Sequence, residues 1–369
     1  MSVGIYIHIP FCVSKCNYCD FNSHTFTSGE RESYVEALCR EIELYSGDLS
    51  ADTVYFGGGT PTVLRTDDLI RILSSVRNKF LLSDLCEITF ECNPKTIDYE
   101  GFALLKSAGF NRLSVGVQST DDEQLKILGR IHTAEDCEKC IYEAKRAGFD
   151  NISADLMYGI PNQNLKSLDK TLNVIREYKI QHISAYTLKI EEGTPFSHMR
   201  LNIVNDDECA DMYEYIVKFL KSEGFNRYEI SNFSKPGYES GHNLKYWNCD
   251  DYIGFGAGAH SLISGERFSN IKNSDEYIEK INAEKSVIDN KRVLSDFEKM
   301  SEFVFLGLRL SGGVSVSEFK KRFSFDIYDI FKTQLDRNIR RGTIIKKNDR
   351  LIIPDKFVFV SNAIMSEFV

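Results

Sequence analysis

Short apolar runs alternate along the chain with segments whose apolar positions recur every three to four residues. Six runs read as strands: Val3–Ile9, Thr53–Phe56, Glu87–Glu91, Leu113–Val117, Ile152–Met157 and His182–Leu188. They are rich in β-branched and aromatic residues. Several are apolar at successive positions, as in a parallel sheet covered on both faces. Between them, amphipathic segments predict helices over Arg31–Tyr45, Thr66–Lys79, Tyr99–Ser107, Thr133–Ala147 and Leu165–Glu177. Glycine stops follow two of these helices, in SAGF (Gly109) and RAGF (Gly148). The helix from Thr133 opens on TAED, a cap with an acidic residue three positions on. Six βα units predict an α/β fold, a partial (β/α)6 barrel over residues 1–235, because eight units typically take about 250 residues. A doubly wound sheet is the alternative. In either fold, functional residues belong in the loops after the strands.

Beyond Leu188 the rhythm changes. A helix over Asp207–Ser222 precedes RYEISNFSKPGYES and GHNLKYWNCDDYIGFGAGAHS. From Ser295 the chain reads FEKMSEFVFLGLRL, then SVSEFKKRF, then a long helix to Arg341. RGTIIKKNDRLIIP predicts a hairpin turning at Asn348-Asp349. Helix, helix and hairpin are similar to a winged-helix module, so residues 236–369 read as a smaller C-terminal α+β domain.

Composition narrows the function classes. Of 369 residues, 27% are charged and 42% hydrophobic, with a net charge of −9. That balance suits a globular chain with a sizeable core and argues against a general nucleic-acid binder, whose phosphate-binding face needs a Lys/Arg excess. No apolar run approaches the ~20 residues that span a bilayer. VGIYIHI lacks a basic leader and breaks at Pro10, so a cytoplasmic location with reduced thiols is expected.

Clustered thiols then point to an inorganic centre. Cys12, Cys16 and Cys19 are spaced C-x3-C-x2-C in the loop after the first strand. A structural zinc site wants four ligands, which His8 or His24 would have to complete. A [4Fe–4S] cluster held by three thiolates keeps one iron open for a substrate or cofactor. Cys137 and Cys140 share one helix face and read as packing residues, as do the isolated Cys39, Cys86, Cys92, Cys209 and Cys249.

The spacing, with Tyr18 before the last cysteine, resembles radical S-adenosylmethionine (SAM) enzymes. YIHIPFC…KCNYCDF resembles one branch of that family, oxygen-independent coproporphyrinogen III oxidase and the HemW-type haem chaperones. The likeness extends into the C-terminal module. It implies that the open iron chelates SAM, which an electron from the cluster cleaves to a deoxyadenosyl radical. YFGGGTPT is similar to the glycine motif that holds the SAM amino and carboxylate ends, here Gly58, Gly59 and Thr60. By the same resemblance Tyr6, Glu91 (FECNP), Gln118 (VGVQS), Arg130 (LGRIH) and Asp155 (ADLMYGIP) take SAM-contacting positions. Singly, each also reads as a satisfied polar group at a strand end.

Three features favour the chaperone side of the branch. Phe21 stands where the oxidase pattern has a further cysteine. The first strand starts almost at Met1, where the oxidase has an N-terminal extension. HNLKYW (His242, Tyr246, Trp247) and GFGAGAHS (His260) are similar to the chaperone motifs. Imidazole is a usual haem ligand, and tyrosine and tryptophan faces suit a porphyrin. His242 also reads as a turn residue bonded to backbone, and His260 as a SAM neighbour. The resemblance implies a chaperone that binds haem and transfers it to apo haem proteins, with a [4Fe–4S] cluster, SAM and an electron donor. The alternative is the oxidase, which decarboxylates coproporphyrinogen III propionates. The sequence leaves the acceptor and the oligomeric state open, a homodimer included.

Overall fold

The computed structural model describes residues 2–369. Six parallel strands follow one another in chain order: β1 (Val3–Ile9), β2 (Ser50–Gly58), β3 (Leu81–Cys92), β4 (Arg112–Gln118), β5 (Ile152–Tyr158) and β6 (His182–Thr187). The helices after them are α1 (Ser28–Leu44), α2 (Thr66–Lys79), α3 (Tyr99–Ser107), α4 (Asp122–Ile127), α5 (Ala134–Arg146), α6 (Leu165–Glu177) and α7 (Asp206–Ser222). Local chemistry sets their ends. Thr133 and Asp136 cap α5 reciprocally, and the Asp98 side chain caps α3. Past α3 and α5 the chain turns at Gly109 (φ +99°) and Gly148 (φ +91°), a conformation that glycine adopts at little cost. The main core lies between helices and sheet, where Phe56, Phe90, Phe102, Phe110 and Phe149 pack edge to face.

The sheet extends beyond these units. Past β6 it adds antiparallel β7 (Asn226–Arg227) and β8 (Asn232–Ser234). After α8 (Gly241–Trp247) the chain crosses to the far side, where β9 (Tyr252–Phe255) pairs parallel with β1. Antiparallel β10 (His260–Ile263), β11 (Glu266–Asn270) and β12 (Ile288–Val293) complete twelve strands among the described residues. A helix, α9 (Ser274–Asn282), packs on α1. Residues 252–293 therefore share the sheet of the first domain, beyond the 235/236 division expected from the sequence.

A second core gathers Val304, Phe319, Phe331, Leu335, Leu351 and Phe368. It is built by α10 (Asp296–Gly307), α11 (Val316–Phe323), α12 (Ile327–Ile330), α13 (Lys332–Arg341) and α14 (Ser361–Met365). A three-stranded antiparallel sheet of β13 (Val314–Ser315), β14 (Ile345–Lys347) and β15 (Arg350–Ile352) completes it. The hairpin turns at Asn348-Asp349 as expected, with Asn348 at φ +53°. The expected long helix is broken at Phe331, whose ring is buried in the core.

Candidate functional site

The cysteine loop leaves β1 at Pro10 and is pinned from two sides. Phe11–Cys12 pairs in parallel with His24–Thr25. Across from it, the N–H of Gly59 donates to Ile9 O (2.7 Å) and that of Thr60 to Phe11 O (2.8 Å). Gly58 has φ +112°, and a Cβ there would lie 2.6 Å from the His8 ring. A Cβ on Gly59 would lie 2.6 Å from Phe11 O. These glycines let two loops of backbone touch.

Side chains tie the site together. Thr60 Oγ1 lies 3.6 Å from Cys12 Sγ and accepts from Asn93 Nδ2 at 2.7 Å. Asn93 Oδ1 accepts from Arg130, whose guanidinium also donates to Gly116 O (2.6 Å) and to Cys16 Sγ (3.4 Å). The three thiols open onto one cavity of about 440 Å³ beside Gly58, Gly59 and Thr60. Glu91, Gln118, Arg130 and Asp155 line the same cavity. Tyr6 instead sits in an aromatic layer, its hydroxyl 3.1 Å from His8 Nδ1 and its ring 6.3 Å from that of Tyr55.

Burial dominates the electrostatics. It pushes the Glu91 carboxyl up to about 7, opposed by a 2.7 Å hydrogen bond from Tyr55 and by the Gly58 N–H. Burial also raises Asp155, against hydrogen bonds from Ser184 and Ser114. The Cys12 and Cys19 thiols are pushed up by burial as well. Iron bound there would offset that cost, because the thiolate is the form that ligates. Among the described residues, no three His, Cys, Asp or Glu side chains stand close enough to hold a single metal ion. A four-iron cluster spreads its thiolates over separate corners, and three thiols sharing one cavity fit that donor set.

Of the chaperone-like HNLKYW motif, Asn243 lines this cavity, while His242, Tyr246 and Trp247 do not. His242 is 1% exposed, and both ring nitrogens are engaged, Nδ1 with Thr53 (2.8 Å) and Nε2 with Tyr246 (2.8 Å). Its ring stacks on Tyr55 at 5.2 Å, and burial pushes its pKa down to about 3. Neither nitrogen faces a ligand in this arrangement. Trp247 lies beneath Arg309, 4.4 Å from guanidinium carbon to ring centroid. His260 is exposed at the start of β10. Sequence reasoning missed Asn93, though it stands in FECNP two residues after Glu91, and missed Arg112 and Tyr55, whose strand positions give no sign of facing a cavity.

Residues 6–175 match the Radical SAM superfamily, and residues 294–356 match the HemN C-terminal domain. The chain is 36% identical to heme chaperone HemW of Bacillus subtilis (strain 168), over 99% of this chain and 98% of that one. It is 33% identical to heme chaperone HemW of Escherichia coli (strain K12), over 100% and 98%. The chain belongs to the HemW family. Its HemW-type fold is that of the coproporphyrinogen III oxidase HemN from Escherichia coli, a radical SAM enzyme, with a TM-score of 0.88. That match covers 100% of this chain and 90% of the other at 22% identity, and it shows the shared fold. Membership of the radical SAM superfamily implies SAM and a [4Fe–4S] cluster for the HemW family too.

Proposed function

We propose that this chain binds haem and passes it to apo haem proteins, on a scaffold holding a [4Fe–4S] cluster and SAM. The observation behind this reading is the end-to-end identity of 33–36% with proteins named heme chaperone. Phe21, 65% exposed beside the cavity, agrees with it.

Cys12, Cys16 and Cys19 would hold the cluster, which supplies an electron and an open iron for SAM. Gly58, Gly59 and Thr60 present backbone at the SAM end, and Glu91 offers its carboxylate to the SAM ammonium. Gln118 and Asp155 line the same wall, while Tyr6 supports it from the aromatic layer. Arg130 positions Asn93 and the Cys16 thiol. His260, exposed at the start of β10, is the imidazole we assign to haem. His242, with Tyr246 and Trp247, anchors α8 between the sheet and the C-terminal domain. Among the described residues no helix is long and apolar enough to cross a membrane, and we place the protein in the cytoplasm. We draw the domain division near Leu294, between β12 and α10.

Anaerobic titration with haem tests the reading. A sharp Soret band, shifted by His260→Ala, and passage of the haem to an apo haem protein are expected. Incubation with coproporphyrinogen III, SAM and a reductant is expected to leave the substrate intact. Formation of protoporphyrinogen IX would replace the chaperone reading with the oxidase.

A further inference from the structure

Arg112 is 1% exposed and opens β4, yet it lines the same cavity as the cysteine loop. No hydrogen-bond acceptor among the described residues meets its guanidinium, and its Nε is buried without a partner. Glu87 Oε2 is 3.9 Å from that Nε, beyond hydrogen-bond reach. Each Glu87 oxygen accepts one backbone N–H, from Gly241 (3.0 Å) and from His242 (3.1 Å). Glu87 therefore balances the charge of Arg112 without satisfying its donors. Of the five guanidinium N–H donors, the one on Nε is buried and unmet, and leaving it so is costly.

The other titratable neighbours are satisfied among themselves. Ser153 Oγ lies 2.7 Å from His182 Nδ1, and His182 Nε2 lies 2.8 Å from the Tyr228 hydroxyl. Ser114 donates to Asp155, and Tyr55 donates to Glu91. The Arg112 Nε and the hydroxyl of Thr89, its partner in the strand register, are thus the unmatched polar groups at this level of the wall. Strand register fixes its depth. Tyr55 pairs with Thr89, and Thr89 with Arg112. Arg112 therefore lies level with Tyr55, three residues or about 10 Å below the Gly58 turn where SAM is expected. Glu91 and Asp155 lie nearer the mouth by the same register.

We propose that Arg112 forms a second ligand subsite, beneath the SAM position, for an organic carboxylate. Two parallel oxygens match the guanidinium fork, and the pairing is strongest where water is excluded. The carboxylate is either a small free acid or a propionate arm of a tetrapyrrole. The tetrapyrrole arm rests on the proposed haem binding, and the free-acid arm does not.

Calorimetric titration of the cluster-loaded, SAM-loaded chain tests the subsite. Propionate is expected to bind, while acetamide and inorganic phosphate do not. Arg112→Lys keeps the charge beside Glu87 but loses the fork, and is expected to weaken propionate at least about tenfold. Arg112→Met should do the same, and Arg112→Lys alone decides if the Met variant fails to fold. If haem binds at least about tenfold tighter than its dimethyl ester, and Arg112→Lys removes that difference, the carboxylate is a tetrapyrrole propionate. If propionate binding alone responds to the substitution, it is a small free acid. Propionate binding that SAM displaces, that acetamide matches, or that Arg112→Lys leaves unchanged would overturn the subsite. A protein that binds propionate but no haem fails the chaperone reading and keeps this one.

Discussion

Glu91 sets the sign of the pH response at the site. Its carboxyl is held at about 7 in the fold, by burial first and by Asp155 second, against Tyr55, the Gly58 N–H and Arg112. The unfolded chain loses that proton near 4.3, so the native state binds more protons between about pH 4.5 and pH 7. Stability therefore falls as pH rises through that window, by ~3 kcal/mol for this group. A SAM ammonium beside Glu91 favours the carboxylate, so SAM affinity is expected to rise over the same window. Glu91→Gln should flatten both profiles, read by SAM titration and by denaturant unfolding at a series of pH values. His242 and His260 separate in the same spirit. His242→Ala strips partners from Thr53 and Tyr246 in a buried layer and should cost about 1–3 kcal/mol in urea unfolding. His260→Ala is exposed and should leave stability within about 0.5 kcal/mol while altering the haem spectrum.

At the scale of elements, the glycine turn after β2 and the cysteine loop after β1 act as one unit. Gly59→Ala would drive its Cβ into the backbone at Phe11, which has no free end to swing away. The loop should then lose its cluster, measured as iron content per chain, while far-UV circular dichroism stays that of the parent. The helices were legible because their signals are local. The bounds of α2, α3 and α6 coincide with the expected ones, and α5 differs by one residue at each end, its Thr133 cap lying outside. Strands β10 to β12 were not. β12 reads IDNKRV and is exposed along its whole length, so no apolar period marks it, and its partner β11 alone makes it a strand. The aromatic layer of Tyr6, Tyr55 and His242 was illegible for a similar reason, since it joins residues on β1, β2 and α8.

Across the whole molecule, the two cores meet at a buried ion pair. Glu229 is 0% exposed and holds Arg309 at 3.1 Å, while Arg309 covers Trp247 and Leu310 bridges to Glu229. Arg309→Met leaves Glu229 two internal hydrogen bonds but no cation. It should cost about 2–3 kcal/mol in denaturant unfolding and speed proteolysis between β12 and α10. By itself the sequence determined the βα succession, the helix caps, the hairpin turn and the thiol spacing. All of these depend on residues within a few positions of one another. Tertiary structure alone decided that β9 returns to pair with β1, that both histidine nitrogens of HNLKYW are spent inside the protein, and that Arg112 looks into the cavity without an acceptor. Each of those outcomes joins residues far apart in the chain, and burial and hydrogen-bond saturation exist only once the chain has folded around them.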